Sequence, residues 1–192
     1  SELVECLLKL KIEESKRLFS ELKDNYPIAI TRNRDVYKTW LKTQKRGSER
    51  TGVLVSVNAK RLRPEGIDSE NALSSQSDDT KIANWFLNPE QDVRSSLSLE
   101  VPSTEFAIQG LKLDWGCVAW GGDLSWQNGE WEFQKFRGDK WTNINGFEAQ
   151  EYLVNTYRVL LTRARQGMII FIPLGDSSDI TRLESRYDGT FE

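Results

Sequence analysis

The sequence predicts an α/β domain of three layers, with helices on both faces of a mainly parallel sheet and an inserted aromatic β-hairpin. Three observations predict this class. Strand and helix patterns alternate between Pro27 and Val57. An amphipathic helix runs into an apolar strand between Glu148 and Pro173. An Asn128-Gly129 pair, typical of a tight type I′ turn, joins two segments that alternate aromatic and polar residues.

Composition restricts the function classes. The 192 residues suffice for one domain with its own core, and the net charge of −3 provides no overall basic field, so any nucleic-acid site must be local. The chain has no His, and Cys6 and Cys117 lack zinc-ligand spacing, so we expect a reducing cytoplasm and no metal site. No apolar run approaches membrane-spanning length. Because the chain begins at Ser1 and its only methionine is Met168, we expect a longer natural protein.

The amino-terminal residues 1–25 predict a helix that packs on the domain or leads into it. Leucines recur at helical spacing from Leu3 to Lys23, mixed with Lys and Glu. Asn25-Tyr26-Pro27 is expected to end this helix.

A βαβ unit follows. Pro27–Thr31 and Gly52–Val57 are short apolar runs that predict buried parallel strands. Between them Asn33 or Asp35 could cap a helix running from Val36 to about Gln44. We expect this helix to turn its apolar side chains inward: Val36, Trp40 and Leu41. The connection is predicted to be a right-handed crossover.

Lys60 and Arg61 follow the second strand, at the edge where open α/β sheets bind ligands. They could contact phosphates or form an ordinary solvated turn. Asp68–Lys81 is rich in Ser, Asp and Asn and predicts a mobile loop. Ile82–Leu87 predicts a short packed element, and Val93–Pro102 is either a strand or a loop.

The segment Thr104–Asp114 predicts a strand through Phe106 and Ile108 that Gly110 breaks. The glycine would let backbone approach a ligand closely, and the preceding Gln109 amide can donate and accept; the alternative is an ordinary strand-to-turn join. Another apolar strand is predicted from Gly116 to Trp120, followed by a turn.

The inserted hairpin is expected over residues 123–142. Five of the seven tryptophans fall between Trp115 and Trp141. Interleaved with Lys135, Arg137 and Lys140, the hairpin aromatics could stack bases while the cations hold phosphates. Alternatively, the aromatics pack the insertion onto its own domain.

The stretch from Glu148 to Pro173 organises the rest of the chain. Its apolar stripe predicts a helix that Gly167 caps, followed by a buried strand. Arg163 and Arg165 would then lie in the last helical turn, where cations commonly just complement the helix dipole. The sharper interpretation is that Arg163 reaches a phosphate from the carboxyl end of the sheet, since its planar fork suits phosphate oxygens.

Three segments resemble superfamily 1 helicases. Gln109-Gly110-Leu111-Lys112-Leu113-Asp114 resembles motif V, and Tyr157–Arg165, with its Leu-Leu-Thr-Arg-Ala core, resembles motif VI. Pro27–Asn33 resembles the opening strand of the second RecA-like domain. From about Tyr26 to Pro173 the chain is similar to the carboxy-terminal part of the Schlafen group 3-like helicase domain family.

This resemblance implies a RecA-like domain of P-loop NTPase type over residues 26–175, followed by a carboxy-terminal tail, 176–192, that we expect to be an extended edge segment. It implies an arginine finger at Arg163, with Gln109, Gly110 and Arg165 near a nucleotide. Contacts to a DNA or RNA backbone would come from three further residues: Thr104, Lys60 and Arg61.

The resemblance also implies ATP with Mg²⁺ as substrate in the intact protein, and an amino-terminal RecA-like domain as partner. The sequence contains neither a Gly-Lys-Ser/Thr phosphate loop nor the Asp-Glu metal pair of such enzymes. We therefore expect the chain alone to bind no nucleotide and to be inactive. Lys112 replaces the Glu common in motif V. The alternative is a degenerate helicase-like domain that binds nucleic acid or protein without ATPase activity.

Overall fold

The computed structural model describes residues 1–74 and 76–192 and confirms the α/β class. The described part of the chain contains six α-helices: α1 (Glu2–Leu8), α2 (Ile12–Leu22), α3 (Arg34–Gln44), α4 (Asp79–Leu87), α5 (Phe147–Leu160) and α6 (Ser185–Phe191). Its eight strands are β1 (Ile28–Thr31), β2 (Thr51–Val55), β3 (Ser103–Thr104), β4 (Leu113–Ala119), β5 (Leu124–Gln127), β6 (Glu130–Arg137), β7 (Lys140–Asn143) and β8 (Ala164–Phe171). None of these helices combines the length and apolarity needed to cross a bilayer.

A five-stranded parallel sheet in the order β1-β8-β4-β2-β3 forms the centre of the domain. The central strands β4 and β2 are buried along their whole length, as expected for a sheet covered on both faces. One core cluster includes Leu54, Val118 and Tyr157. A second, on Tyr37 and Leu41 of α3, includes Val53 and Phe171. The two clusters confirm the predicted layers.

The βαβ unit β1-α3-β2 matches the prediction closely. The Asn33 side chain accepts hydrogen bonds from Asp35 N at 2.8 Å and Val36 N at 3.4 Å, so Asn33 is the N-cap. The predicted inward face is confirmed at Leu41, which is buried, and at Trp40, which packs against the second core cluster, but it is wrong at Val36. Val36 is 48% exposed, and Tyr37 takes the buried position.

The predicted single helix over Leu3–Lys23 is wrong, because the chain breaks into α1 and α2. Leu10 adopts a left-handed φ of 59° between them. The Lys11 N–H then bonds back to Cys6 O at 2.9 Å. No glycine marks this break, so the continuous leucine pattern concealed it.

The predicted strand through Phe106 and Ile108 is also wrong. Strand β3 contains only Ser103 and Thr104, after which the chain turns and Ile108 N bonds to Thr104 O at 3.2 Å. Val93–Pro102, left open as strand or loop, contains a short 3-10 helix at Ser96–Ser98. Asp68–Lys81, predicted as a loop, enters α4 at Asp79; its residue 75 lies outside the described residues.

Gly167 lies inside β8 and not at a helix end, so its predicted role as a helix cap is wrong. Helix α5 ends at Leu160, and β8 begins four residues later. A Cβ at Gly167 would lie 2.7 Å from Pro27 O and 2.7 Å from Trp115 Cζ3. The glycine therefore allows β1 and the Trp115 ring to approach β8 closely.

The inserted segment forms a three-stranded antiparallel sheet, β5-β6-β7, one strand more than the predicted hairpin. Asn128 and Gly129 have φ of 53° and 87°, which confirms the tight turn. The aromatics pack onto the domain: Trp120 stacks on Trp131 with ring centroids 5.8 Å apart, and the indole of Trp131 donates to Leu8 O at 3.2 Å. These contacts favour the packing interpretation over base stacking.

The tail is not the extended edge segment that was expected. It ends in α6, whose Tyr187 is buried against the main core. Arg182 forms a buried ion pair with Glu65, and Arg32 pairs with Asp188 at 2.7 Å. The tail is therefore part of the packed domain.

Candidate functional site

The two motif segments meet at one edge of the parallel sheet. Leu113, the first residue of β4, is the register partner of Ala164 in β8, and its N–H donates to Arg163 O at 3.1 Å. The turn Gln109–Lys112 and the connection from α5 to β8 are therefore neighbours. We call this region the amino edge, because each segment immediately precedes a parallel strand.

The expectation that Arg163 projects from the carboxyl end of the sheet is wrong. The helix ends at Leu160, and Arg163 lies in the short connection just before β8. A residue between a helix and the next parallel strand necessarily lies where that strand starts. The sequence pattern placed Arg163 beside β8 but assigned it to the wrong end.

The Arg163 guanidinium is only partly engaged by the protein. Its Nε donates to Val159 O at 3.1 Å, which holds the side chain along the end of α5. Among the described residues no carboxylate lies within 4 Å of it. The side chain is half-buried, so its positive charge is fixed in position and its terminal nitrogens remain available to an acceptor outside the chain.

Arg165 lies two residues further on, within β8, and its charge is already compensated. Its Nη2 donates to Asp114 Oδ1 at 2.6 Å. Asp114 also accepts the Arg50 N–H at 2.7 Å. Partial burial raises the pKa of Asp114, but these hydrogen bonds outweigh burial and lower it. Arg165 therefore ties β8 to β4, which differs from the helix-end position predicted for it.

Glu49 also holds the amino edge together, through hydrogen bonds to its carboxylate. Its carboxylate accepts hydrogen bonds from the Trp115 indole at 2.9 Å and the Gln166 amide at 2.8 Å. The bond from Trp115, followed by that from Gln166, lowers the pKa of Glu49. The Arg50 guanidinium donates to Asn88 O at 2.8 Å, at the end of α4. Asp114, within β4, and Glu49, just before β2, are thus both committed to internal contacts.

The motif V segment forms an exposed turn beside Arg163. Gln109, Gly110 and Lys112 are exposed, and Gly110 adopts a φ of 84° with open space around it. Lys112 has no carboxylate within 4 Å among the described residues. The turn therefore adds a second uncompensated cation and a polar amide beside Arg163.

The other predicted residues lie at the opposite, carboxyl edge. Thr104 is fully buried and its hydroxyl donates to Leu73 O at 3.0 Å, so its side chain lacks the exposure that a backbone contact to nucleic acid requires. Lys60 pairs with Glu70 at 2.9 Å, and Arg61 pairs with Asp179 at 2.6 Å. The structure does not bring these three residues to Arg163.

Sequence reasoning missed a buried polar cluster at this carboxyl edge. Asp123, fully buried, accepts hydrogen bonds from the Tyr157 hydroxyl at 2.7 Å and the Ser56 hydroxyl at 2.6 Å. Glu105 accepts the Val57 N–H at 3.1 Å. Burial raises the pKa of both carboxyls. Neither acid has a cationic partner within 4 Å in the described structure, and no residue spacing signals their proximity.

Comparison with protein families identifies the domain. The family model described as "Schlafen group 3, DNA/RNA helicase domain" matches residues 1–173. The chain belongs to this family. The match includes α1 and α2, whereas the resemblance noted from the sequence began only near Tyr26. Comparisons with curated proteins and with solved structures returned no match.

Membership of the Schlafen group 3 helicase domain family establishes the general function of the chain. The chain is a helicase domain of a family that acts on DNA or RNA. The amino edge contains the segments resembling motifs V and VI, and β4 and β8 hold them side by side.

Proposed function

We propose that this chain is the carboxy-terminal RecA-like half of an ATP-dependent DNA or RNA helicase or translocase, with Arg163 as its arginine finger. ATP would bind between the amino edge and an amino-terminal RecA-like domain of the same protein. One observation carries the proposal: Arg163 is oriented but uncompensated at the junction of β4 and β8, whereas Arg165 is neutralised by Asp114.

The proposed chemistry follows from charge. During phosphoryl transfer, negative charge is spread over the γ-phosphate oxygens, and a positioned guanidinium stabilises it. Because the bond from Arg163 Nε to Val159 O already orients the side chain, little reorganisation is needed when a phosphate arrives. Half-burial reduces the screening that a fully solvated arginine would experience.

The turn beside Arg163 would sense the nucleotide. Gly110 has no side chain and adopts a left-handed φ, so the backbone at this position can approach a ligand closely. The Gln109 amide would donate or accept at the nucleotide. Lys112, in place of the common Glu, would add attraction for phosphate. Arg165 would act indirectly, since its bond to Asp114 fixes the start of β8.

The remaining parts would come from the partner domain. A phosphate loop and Mg²⁺ ligands are needed for hydrolysis, and this sequence contains no Gly-Lys-Ser/Thr loop. When bound, Mg²⁺ would neutralise phosphate charge in that domain. The chain alone is therefore expected to hydrolyse no ATP, and a measurable rate from the isolated chain would contradict the proposal.

The decisive experiment uses the intact protein with nucleic acid. Arg163→Ala is expected to lower kcat for ATP hydrolysis by roughly 10³-fold or more, the usual contribution of an arginine finger. Nucleotide Kd should change little, because the contact is made chiefly in the transition state. Arg163→Lys should restore little activity, since an ammonium lacks the planar fork.

Arg46→Ala is the matched control. Arg46 is exposed, also precedes a parallel strand, and lies in no ion pair among the described residues. It should retain near-native kcat. Equal rates for Arg163→Ala and Arg46→Ala would remove the finger assignment. A native intact protein that binds nucleic acid but hydrolyses no ATP would favour the degenerate binding module.

A further inference from the structure

The β6–β7 hairpin presents three cations on a single face. Arg137 and Lys140 are register partners, and Lys135 is the partner of Thr142. Because side chains alternate along strands and partners share a face, these residues project from the same side. We call the three cations Lys135, Arg137 and Lys140 the hairpin cation row.

The hairpin cation row is electrostatically uncompensated. Most lysines and arginines of the chain form ion pairs within 4 Å, but no member of this row does so in the described structure. Arg137 and Lys140 stand directly opposite each other, an arrangement of like charges that destabilises a strand pair. The neighbouring acids of β6, Glu130 and Glu132, alternate onto the other face.

The opposite face of the hairpin fixes it to the domain. The Trp141 indole donates to Thr181 O at 2.8 Å, and the Arg186 guanidinium lies 4.4 Å from the centroid of the Trp141 ring. Phe136 packs edge-on against Trp141 and is covered by Arg61 at 5.1 Å. The hairpin that carries the cation row is therefore held against the domain, and the rings of Phe136 and Trp141 already make contacts within the protein.

We propose that the hairpin cation row is a contact site for the phosphate backbone of a nucleic-acid strand. Two residues along an antiparallel strand span roughly 7 Å, about the axial advance of two nucleotides in one strand. Lys135 and Arg137 can thus meet separate phosphates, with Lys140 beside them. Contacts of this kind hold a strand without reading its bases.

The chemistry of this face favours nucleic acid over a protein partner. Toward the tip its strand positions carry only the cations and Thr142, the turn itself adds Asp139, and no exposed aromatic or aliphatic anchor of the kind that dominates protein interfaces lies there. The proposal rests on the nucleic-acid partner of the proposed function and is independent of the arginine finger. It does not require the hairpin aromatics to stack on bases.

The test measures binding of the 192-residue chain to a fluorescent single-stranded oligonucleotide between 50 and 200 mM NaCl. The variant Lys135→Ala/Arg137→Ala/Lys140→Ala should bind roughly tenfold or more weakly at 50 mM NaCl. The slope of log Kobs against log salt should decrease in magnitude by about 2, from about 0.7 for each of three lost phosphate contacts.

The matched control removes the same charge elsewhere. Three exposed lysines each lie beside a glutamate: Lys9, just after α1, Lys16 in α2 and Lys42 in α3. Their triple alanine variant should keep most of the affinity and nearly the native slope. For both variants far-UV circular dichroism should match the native spectrum and Tm should not fall, because all six side chains extend into solvent or lie at its boundary.

Several outcomes overturn the proposal. One is an unchanged slope in the hairpin variant, and another is an equal loss in the control variant. A third is binding of polyglutamate or anionic vesicles as tightly as nucleic acid with the same dependence on the row. The assay contains no ATP and measures no hydrolysis, so failure of the cation row would not bear on the finger.

Discussion

The substitution Gly167→Ala tests the packing that aligns the three strands at the amino edge. The new Cβ would lie 2.7 Å from Pro27 O and 2.7 Å from Trp115 Cζ3, far inside ordinary contact distance. Neither neighbour can retreat freely. Pro27 O accepts the Met168 N–H at 3.0 Å, and the Trp115 ring is held by Glu49 at 2.9 Å. Strand β1 or β4 must therefore shift.

Overpacking of this kind lowers the free energy of unfolding by about 1–3 kcal/mol. Because neither neighbour can move freely, we expect Gly167→Ala to cost about 3 kcal/mol. For a chain of this size that corresponds to a fall in Tm of about 6–12 °C. Thermal unfolding followed by circular dichroism at 222 nm measures it, and guanidinium titration gives the free energy of unfolding independently.

Gly110→Ala is the control, because Gly110 has a left-handed φ of 84° but open space around it. Its cost should be only about 1 kcal/mol, from backbone strain alone. If Gly167 were a helix cap, as its sequence context predicts, the two substitutions would cost about the same. Equal costs, or a Gly167→Ala cost below about 0.5 kcal/mol, would refute the packing argument.

Three further substitutions test individual groups by urea titration of the free energy of unfolding. Burial raises the folded-state pKa of Asp123, so the protonated carboxyl stabilises the fold at low pH and this contribution is lost as pH rises above 3.8, the ordinary pKa of the group. The free energy of unfolding of Asp123→Asn should therefore increase relative to that of the native chain between pH 4 and 8, and a difference that stays constant with pH would contradict this. Against the effect of burial, hydrogen bonds from the Arg50 N–H and then from Arg165 lower the folded-state pKa of Asp114, so Asp114→Asn should lose about 1–3 kcal/mol at pH 7 and less as pH falls below 3.8; a loss independent of pH would argue against these contacts. Asn33→Ala should cost about 1 kcal/mol through loss of the α3 N-cap, whereas Asn33→Asp should cost almost nothing, and equal costs would exclude the cap.

Local sequence signals predicted local structure well where side chains dictate backbone. The cap of α3 is Asn33, one of the two residues that the sequence offers for it, and Asn128-Gly129 predicted a turn with positive φ at both residues. The apolar run after Gly116 lies in β4, buried throughout. These features depend on residues next to one another in the chain, so periodicity and turn chemistry suffice to find them.

The failures share a different cause. Leu10 takes a left-handed conformation without glycine, and Gly167 serves a contact with Pro27 and Trp115, which are distant in sequence. Similarly, motif wording grouped Arg163 with Gln109 but did not fix the edge of the sheet on which they lie. That edge follows from chain direction through β4 and β8. Pairings such as Asp123 with Tyr157 likewise arise only once the strands are ordered.

The arginine finger is tested most directly by a structure of the intact protein with ADP, Mg²⁺, aluminium fluoride and a nucleic-acid strand. If Arg163 is the finger, its guanidinium lies within about 3 Å of a fluoride or oxygen at the γ-phosphate position, the distance of a charge-assisted hydrogen bond. The amino edge of this domain then faces the nucleotide across the domain cleft. A nucleotide bound with Arg163 directed into solvent, or with the carboxyl edge facing it, would show that Arg163 is not the finger.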